Sequence, residues 1–136
     1  MYKRILIPLD GSPLAEQALP HAIAHAHCFR AELVLLKVQE PIPKVVGVSP
    51  GALRHAKDRT REMARDYLDH LATPIRDKGI RVETVTIDGR PHVEIPRFAE
   101  VNQIDLIVLS ARGRSGLSRW LMGSVADRVV RGAAVP

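Results

Sequence analysis

The sequence predicts an α/β fold in which a parallel sheet carries helices on both faces. Three observations predict it. Short apolar runs alternate with longer segments of helical period, in the order strand, helix, strand, loop, helix, strand, helix, strand, loop, helix. The first two runs, "KRILIPL" and "AELVLLKV", are almost uninterrupted in apolar residues, as strands covered on both faces are. Turn and cap residues, above all the Asp10-Gly11-Ser12-Pro13 series, punctuate the chain where a strand must hand over to a helix.

Residues 3–9 are the first strand. Asp10 and Gly11 then turn the chain, Ser12 is placed to cap a helix, and Pro13 stands at its first position. That helix is predicted to run to Phe29, with its alanines, Leu14, Leu19 and Ile23 packed on the sheet and Pro20 bending it or costing a hydrogen bond. Residues 31–38 are the second buried strand. "QEPIPKVVGVSPGA", with three prolines, reads as a long loop, and residues 39–50 are the candidate moving part.

From 52 to 72 the spacing is that of an amphipathic helix, with Leu53, Ala56, Thr60, Met63, Ala64, Tyr67, Leu68 and Leu71 on one side. Pro74 is expected to end or kink it, and Gly79 closes the segment. Residues 80–87 alternate apolar and polar, as an edge or half-exposed strand does. Gly89 turns the chain, and Pro91 opens a third helix to about Asn102, with Pro96 awkward inside it. "IDLIVLS", 104–110, is the fourth and most buried-looking strand, and a last helix is predicted over 124–132. The chain stops at "AAVP", where an apolar fifth strand can begin, so the native protein is expected to continue.

At 136 residues a single domain over 1–136 is expected. Apolar residues at 46% and charged residues at 26% are ordinary for a soluble globular chain, and no apolar run approaches the ~20 residues that cross a bilayer, so no membrane role is expected. "ILIPL" is too short for the core of a signal peptide. The single cysteine, Cys28, excludes an internal disulfide and a multi-cysteine zinc site, and it fits a cytoplasmic protein. A formal charge of +5 favours anionic ligands, nucleic acid among them, but aromatic residues at 4% disfavour a base-stacking surface.

In a doubly wound sheet, ligands sit outside the carboxyl ends of strands where the strand order reverses. That directs attention to the loops after the first and fourth strands. The first carries Asp10. The second is "SARGRSGLSRWLMGS", where Gly113, Gly116 and Gly123 allow close approach of backbone amides, Ser124 opens a helix, and Arg112, Arg114 and Arg119 add positive potential. No "GK[ST]" and no GxGxxG after the first strand occurs. From these residues alone, a phosphate loop and a plain flexible connection both stay open.

"ILIPLDGS", the "LLKV" closing the second strand, the G-x-P before the third helix, "DLIVLSARGRSGLSRWLMGSVADRVVR" and the terminal "VP" together resemble the universal stress protein family over nearly the whole chain. The resemblance implies a Rossmann-like fold, of the adenine nucleotide alpha hydrolase-like kind, with sheet order 3-2-1-4-5 and its last strand missing here. In one branch it also implies an ATP site, marked by glycine, two residues, glycine, nine residues, glycine, then serine or threonine. Gly113, residues 114–122, Gly123 and Ser124 fill that pattern, while Ser110 stands at its first position. The resemblance then puts Ser110 near the ribose, and Gly113 with the amides of Gly123, Ser124 and Val125 on the phosphates. Arg112 approaches the ligand. Asp10 lies by the ribose or a phosphate-bound Mg²⁺ or Mn²⁺, Pro8 and Leu9 line the pocket, and the Val38 backbone meets the adenine edge.

Each residue has a plainer reading. Asp10 suits a capping turn, Val38 a buried strand position, the arginines a solvated face, and Trp120 a core or interface. His21, His25 and Cys28 share one helix face, but Gln17 one turn earlier marks an ordinary polar stripe rather than a metal site. The expected function is a cytoplasmic stress-response protein that binds ATP or another adenine nucleotide as a switch or sensor. No catalytic residue set is placed, so enzyme activity is expected to be absent or limited to slow ATP hydrolysis. The resemblance also implies a homodimer. The alternatives are a dimeric family member that binds no nucleotide, favoured by Ser110, and a basic nucleic-acid-binding module, disfavoured by the scarce aromatics.

Overall fold

The computed structural model describes residues 1–43, 46–110 and 124–136. Four parallel strands, β1 (Arg4–Pro8), β2 (Glu32–Gln39), β3 (Val82–Asp88) and β4 (Leu106–Ile107), form a sheet in the order β3-β2-β1-β4. Helices α1 (Pro13–Glu16), α2 (Leu19–Phe29), α3 (Pro50–Asp77), α4 (Pro91–Val101) and α5 (Ser124–Gly132) cover it. The predicted fold class is observed, with four strands.

Alternation along the strands divides the core in two. On one face Ile5, Ile7, Leu33 and Leu35 meet Ala22 and Ala26 of α2 and Leu68 and Ala72 of α3. On the other, Leu6, Val34, Leu36 and Ile107 meet Ile95 and Ala99 of α4 and Val129 of α5. Alanine on the helices lets them sit close to the branched strand residues, so both faces close with no buried polar residue among those described.

Four local expectations are corrected. The first helix is two helices, broken at Gln17 and Ala18. Pro20 has no N–H for the Glu16 carbonyl, so the chain restarts a helix at Leu19 with Pro20 in its first turn, where a missing donor costs little. The long helix begins at Pro50, because the Ser49 hydroxyl accepts from the Ala52 amide at 3.1 Å, and it passes through Pro74 to Asp77. Burial of Ala72 and Ile75, with Arg76 Nη2 donating to the Val82 carbonyl at 2.7 Å, offsets the bond that Pro74 cannot make. Gly79, at φ +85°, then turns the chain into β3.

The apolar stripe proposed for that helix is buried only in part. Met63 is 65% exposed, and the residues that reach the sheet are Ala64, Leu68, Ala72 and Ile75. Met63 lies about 100° round the helix from Ala64, off the face that meets the sheet; for Leu53 and Ala56 the cause is length, because Gln39 Nε2 donates to the Thr60 carbonyl and Arg61 pairs with Asp88, both at strand ends. The ten residues Pro50 to Arg59, about 15 Å of helix, therefore extend past the sheet. The second half of α4 persists despite Pro96, since Ile95 and Ala99 are buried. Finally, β4 is two residues long and lies at the sheet's edge, so β1 and β2, not β4, are the most buried strands. On its outer side the Ile107 amide donates to the Pro136 carbonyl at 2.8 Å.

Asp105 ties β4 to β1. Its Oδ2 accepts the amides of Lys3 at 2.8 Å and Arg4 at 2.9 Å, and these bonds hold its pKa below the usual aspartate value. A depressed folded-state pKa gives stability that is full above the unfolded value near 3.9 and is lost as pH falls through the folded one. Asp105→Ala is expected to cost about 1 kcal/mol at pH 7, kept small by solvent screening. In urea titrations the gap to wild type narrows as pH drops below about 4; a gap constant with pH contradicts this account.

Candidate functional site

The topology supplies a crevice before any side chain is considered. β2 and β3 lie on one side of β1 and β4 on the other, while α2 follows β1 onto one face and α5 lies on the opposite face. The chain therefore diverges above and below the sheet between β1 and β4, which is where open α/β sheets bind ligands.

On the β1 side, Pro8 ends the strand half-buried. Leu9 buries its side chain in the first core cluster, leaving its backbone to the loop, where its amide donates to the Leu36 carbonyl at 2.8 Å. Asp10 is exposed, and its Oδ1 accepts the Ser12 amide at 2.8 Å. Ser12 Oγ in turn accepts the Ala15 amide at 3.1 Å and caps α1, as the sequence predicts. Between them Gly11 sits at φ +91°, a conformation that turns the chain sharply off the strand end and that side chains resist. Asp10 thus holds a turn, and a carboxylate so held stands ready at the crevice mouth.

Val38 gains its meaning from register. The Leu36 carbonyl points at β1, the Gln39 carbonyl points at β3 and accepts the Gly89 amide, so alternation aims the Val38 N–H and C=O toward β1. There the pairing ends at Pro8↔Leu36, and among the described residues no backbone group pairs Val38 on that side. An unpaired donor and acceptor, side by side at a strand end, match a planar ligand edge that needs both. The Val38 side chain, as the plainer reading had it, packs against the second core cluster.

On the β4 side, Ser110 is half-buried just past Leu109. Arg112, Gly113 and Gly123, like Arg114, Gly116, Arg119 and Trp120, fall outside the described residues. Ser124 is the first residue of α5, and Val125 packs its side chain on the second core cluster, which leaves its backbone for any ligand role. Amides of a helix's first turn lack intrahelical acceptors and favour anions. Buried Ala126 and Val129 anchor the helix that carries them.

One polar group reaches this region that the sequence reading placed only in an apolar stripe. Tyr67 of α3 donates its hydroxyl to Glu16 Oε2 at 3.0 Å, and burial together with Glu16 pushes its pKa well up. The available signal was the residue type: a half-buried tyrosine needs a partner for its hydroxyl. Beyond it, a cavity of about 130 Å³ at the ends of β2 and β3 is lined by Gln39, Glu40, Pro41, Ile42, Thr60 and Arg61 among others.

The histidine stripe holds no metal geometry. His25 Nδ1 lies 2.8 Å from the His21 carbonyl, Cys28 is exposed, and among the described residues no three His, Cys, Asp or Glu side chains converge as metal ligands. No described helix is long and apolar enough to cross a membrane.

Comparison with known proteins gives a consistent result. Residues 1–136 match the universal stress protein family. Universal stress protein MJ0531 of Methanocaldococcus jannaschii is 35% identical over all of this chain and 80% of its own length. Universal stress protein MJ0577 of the same organism is 30% identical, and its solved structure superposes with a TM-score of 0.85 over all of this chain and 93% of that one. Two more distant solved structures share the fold: an Arabidopsis thaliana family protein with AMP bound, 17% identical with a TM-score of 0.73, covering 98% of this chain and 88% of that one, and a universal stress protein in complex with cAMP, 23% identical with a TM-score of 0.63, covering 98% and 92%.

Proposed function

Because the chain belongs to the universal stress protein family, we propose that it binds ATP, or another adenine nucleotide, in the crevice between the loops after β1 and β4 and acts as a nucleotide-dependent switch or sensor in a stress response. The observation that carries the proposal is the pair of Val38 backbone groups that, among the described residues, have no backbone partner on the β1 side, at the point where strand order reverses. In this reading the adenine edge takes the Val38 N–H and C=O. Its ribose lies toward Asp10 and Ser110, with Pro8 and the Leu9 backbone beneath. The phosphates meet Gly113, Arg112 and the amides of Gly123, Ser124 and Val125.

A single exposed carboxylate suits Mg²⁺ or Mn²⁺ that arrives on a nucleotide, because such ions take one or two protein carboxylates and fill the remaining positions with phosphate and water. Asp10 is the residue that would hold it. The reading assigns no catalytic residue and at most slow hydrolysis. It also takes the protein to be a single cytoplasmic domain that pairs as a homodimer and to have no membrane or nucleic-acid partner.

A second reading, a homodimer that works through protein contacts without nucleotide, draws on one specific observation: Ser110 occupies the motif's first glycine position. The test is thermal denaturation with and without ATP and Mg²⁺, with mass spectrometry of small molecules released from freshly purified protein. At ATP one hundred times its Kd the stabilisation is about 2.7 kcal/mol, a shift of several degrees that changes little with salt. Absence of both the shift and a co-purified nucleotide favours the second reading. Retention of DNA or RNA that falls steeply with salt overturns both.

A further inference from the structure

Asp10 and Gly11 are exposed, and Gly11 holds a φ that an unsupported loop abandons readily. Support reaches them through Glu16, whose partner lies 51 residues further along the chain. Tyr67, half-buried at the rim of the first core cluster, donates its hydroxyl to Glu16, the last residue of α1. α1 begins at the Ser12 cap, and the Ser12 amide is held by Asp10 Oδ1. The Tyr67–Glu16 bond joins the middle of the 28-residue helix α3 to the short helix whose cap closes the Asp10-Gly11 turn.

We propose that Tyr67 is a positioning residue for the nucleotide site, its hydroxyl anchoring α1 through Glu16, and with it the Ser12-capped turn, so that the Asp10 carboxylate stays at the crevice. The ligand half of this inference rests on the nucleotide reading above. The loop half does not.

Tyr67→Phe keeps the ring and removes the hydroxyl, and Glu16→Gln keeps a carbonyl oxygen to accept from it. Amide hydrogen exchange on the full chain without ligand, and calorimetric titration with ATP and Mg²⁺, read the two halves separately. Tyr67→Phe is expected to speed exchange at Ser12 and Ala15 at least fivefold, to leave the amides of β1 and of α3 itself unchanged, and to weaken ATP binding by about five- to tenfold. Glu16→Gln is expected to stay near wild type in both. Exchange that rises at Ser12 and Ala15 in a protein that binds no ATP upholds the positioning of the turn and defeats the nucleotide reading. Unchanged exchange at those two amides, or a uniform rise across the sheet, overturns the proposal.

Discussion

Leu68→Ala is expected to lower stability by about 3 to 4 kcal/mol and the melting temperature by roughly 10 °C. Leu68 is fully buried in the first core cluster, where α3 crosses the sheet. α3 is 28 residues long and fully buries Ala64, Leu68, Ala72 and Ile75, with Tyr67 and Leu71 half-buried beside them, so Leu68 is one of the two large side chains that it buries completely. The strand residues facing it, Leu33 and Leu35, are fixed by ladders on both sides and cannot move in to fill the space. A cavity that cannot collapse puts the cost in the middle to upper part of the range for such truncations. Met63→Ala, five residues earlier but 65% exposed, is expected to change stability by less than about 0.5 kcal/mol. Differential scanning calorimetry of the two variants checks this, and equal losses mean α3 is not seated as described.

Gly123→Val is expected to abolish the stabilisation by ATP and Mg²⁺ while the ligand-free protein still melts cooperatively. Gly123 lies outside the described residues, but Ser124, which follows it, opens α5. The amides of that first turn have no intrahelical acceptors, and their combined field draws an anion to the helix start. A glycine before them lets a phosphate approach the backbone; a valine sets two methyl groups in that approach. A loss of more than about a hundredfold in affinity removes the ~2.7 kcal/mol expected at one hundred times Kd. Ser110→Gly, which completes the motif's first position, is the companion variant and is expected to bind at least as tightly as wild type. Thermal shifts at fixed ATP decide the matter. If Gly123→Val keeps the full shift, the phosphates lie elsewhere and the motif register does not describe this site.

Much of the architecture was legible because it is written locally. The apolar runs marked the four strands, Ser12 and Pro13 marked the start of α1, and the boundaries of α5 were read to the residue. What misled were residues whose local signal competes with packing. Pro20 predicts a bend or a lost hydrogen bond within one helix, but the helix restarts there, and Pro74 predicts an end or a kink, although burial of its neighbours carries the helix past it. The spacing predicts Met63 in the core, yet it lies about 100° round α3 from the buried face of Ala64, Leu68 and Ala72. The run 104–110 looked the most buried on hydropathy, but a strand at the sheet's edge is paired by a neighbouring strand on one side only.

By itself, then, the sequence determined the α/β class, the positions of the strands, the Asp10-Gly11-Ser12 turn and the register of a glycine motif ending at Ser124. These follow from periods, caps and turn chemistry that act over a few residues. The resemblance implied that β1 and β4 are neighbours, as the structure shows; only the tertiary structure decided that, among the described residues, no backbone group pairs Val38 on the side facing the end of β1, and that Tyr67 reaches Glu16. The physical reason is that strand register and side-chain hydrogen bonds between residues tens of positions apart are set by how two helical layers close over one sheet. No local pattern carries that information.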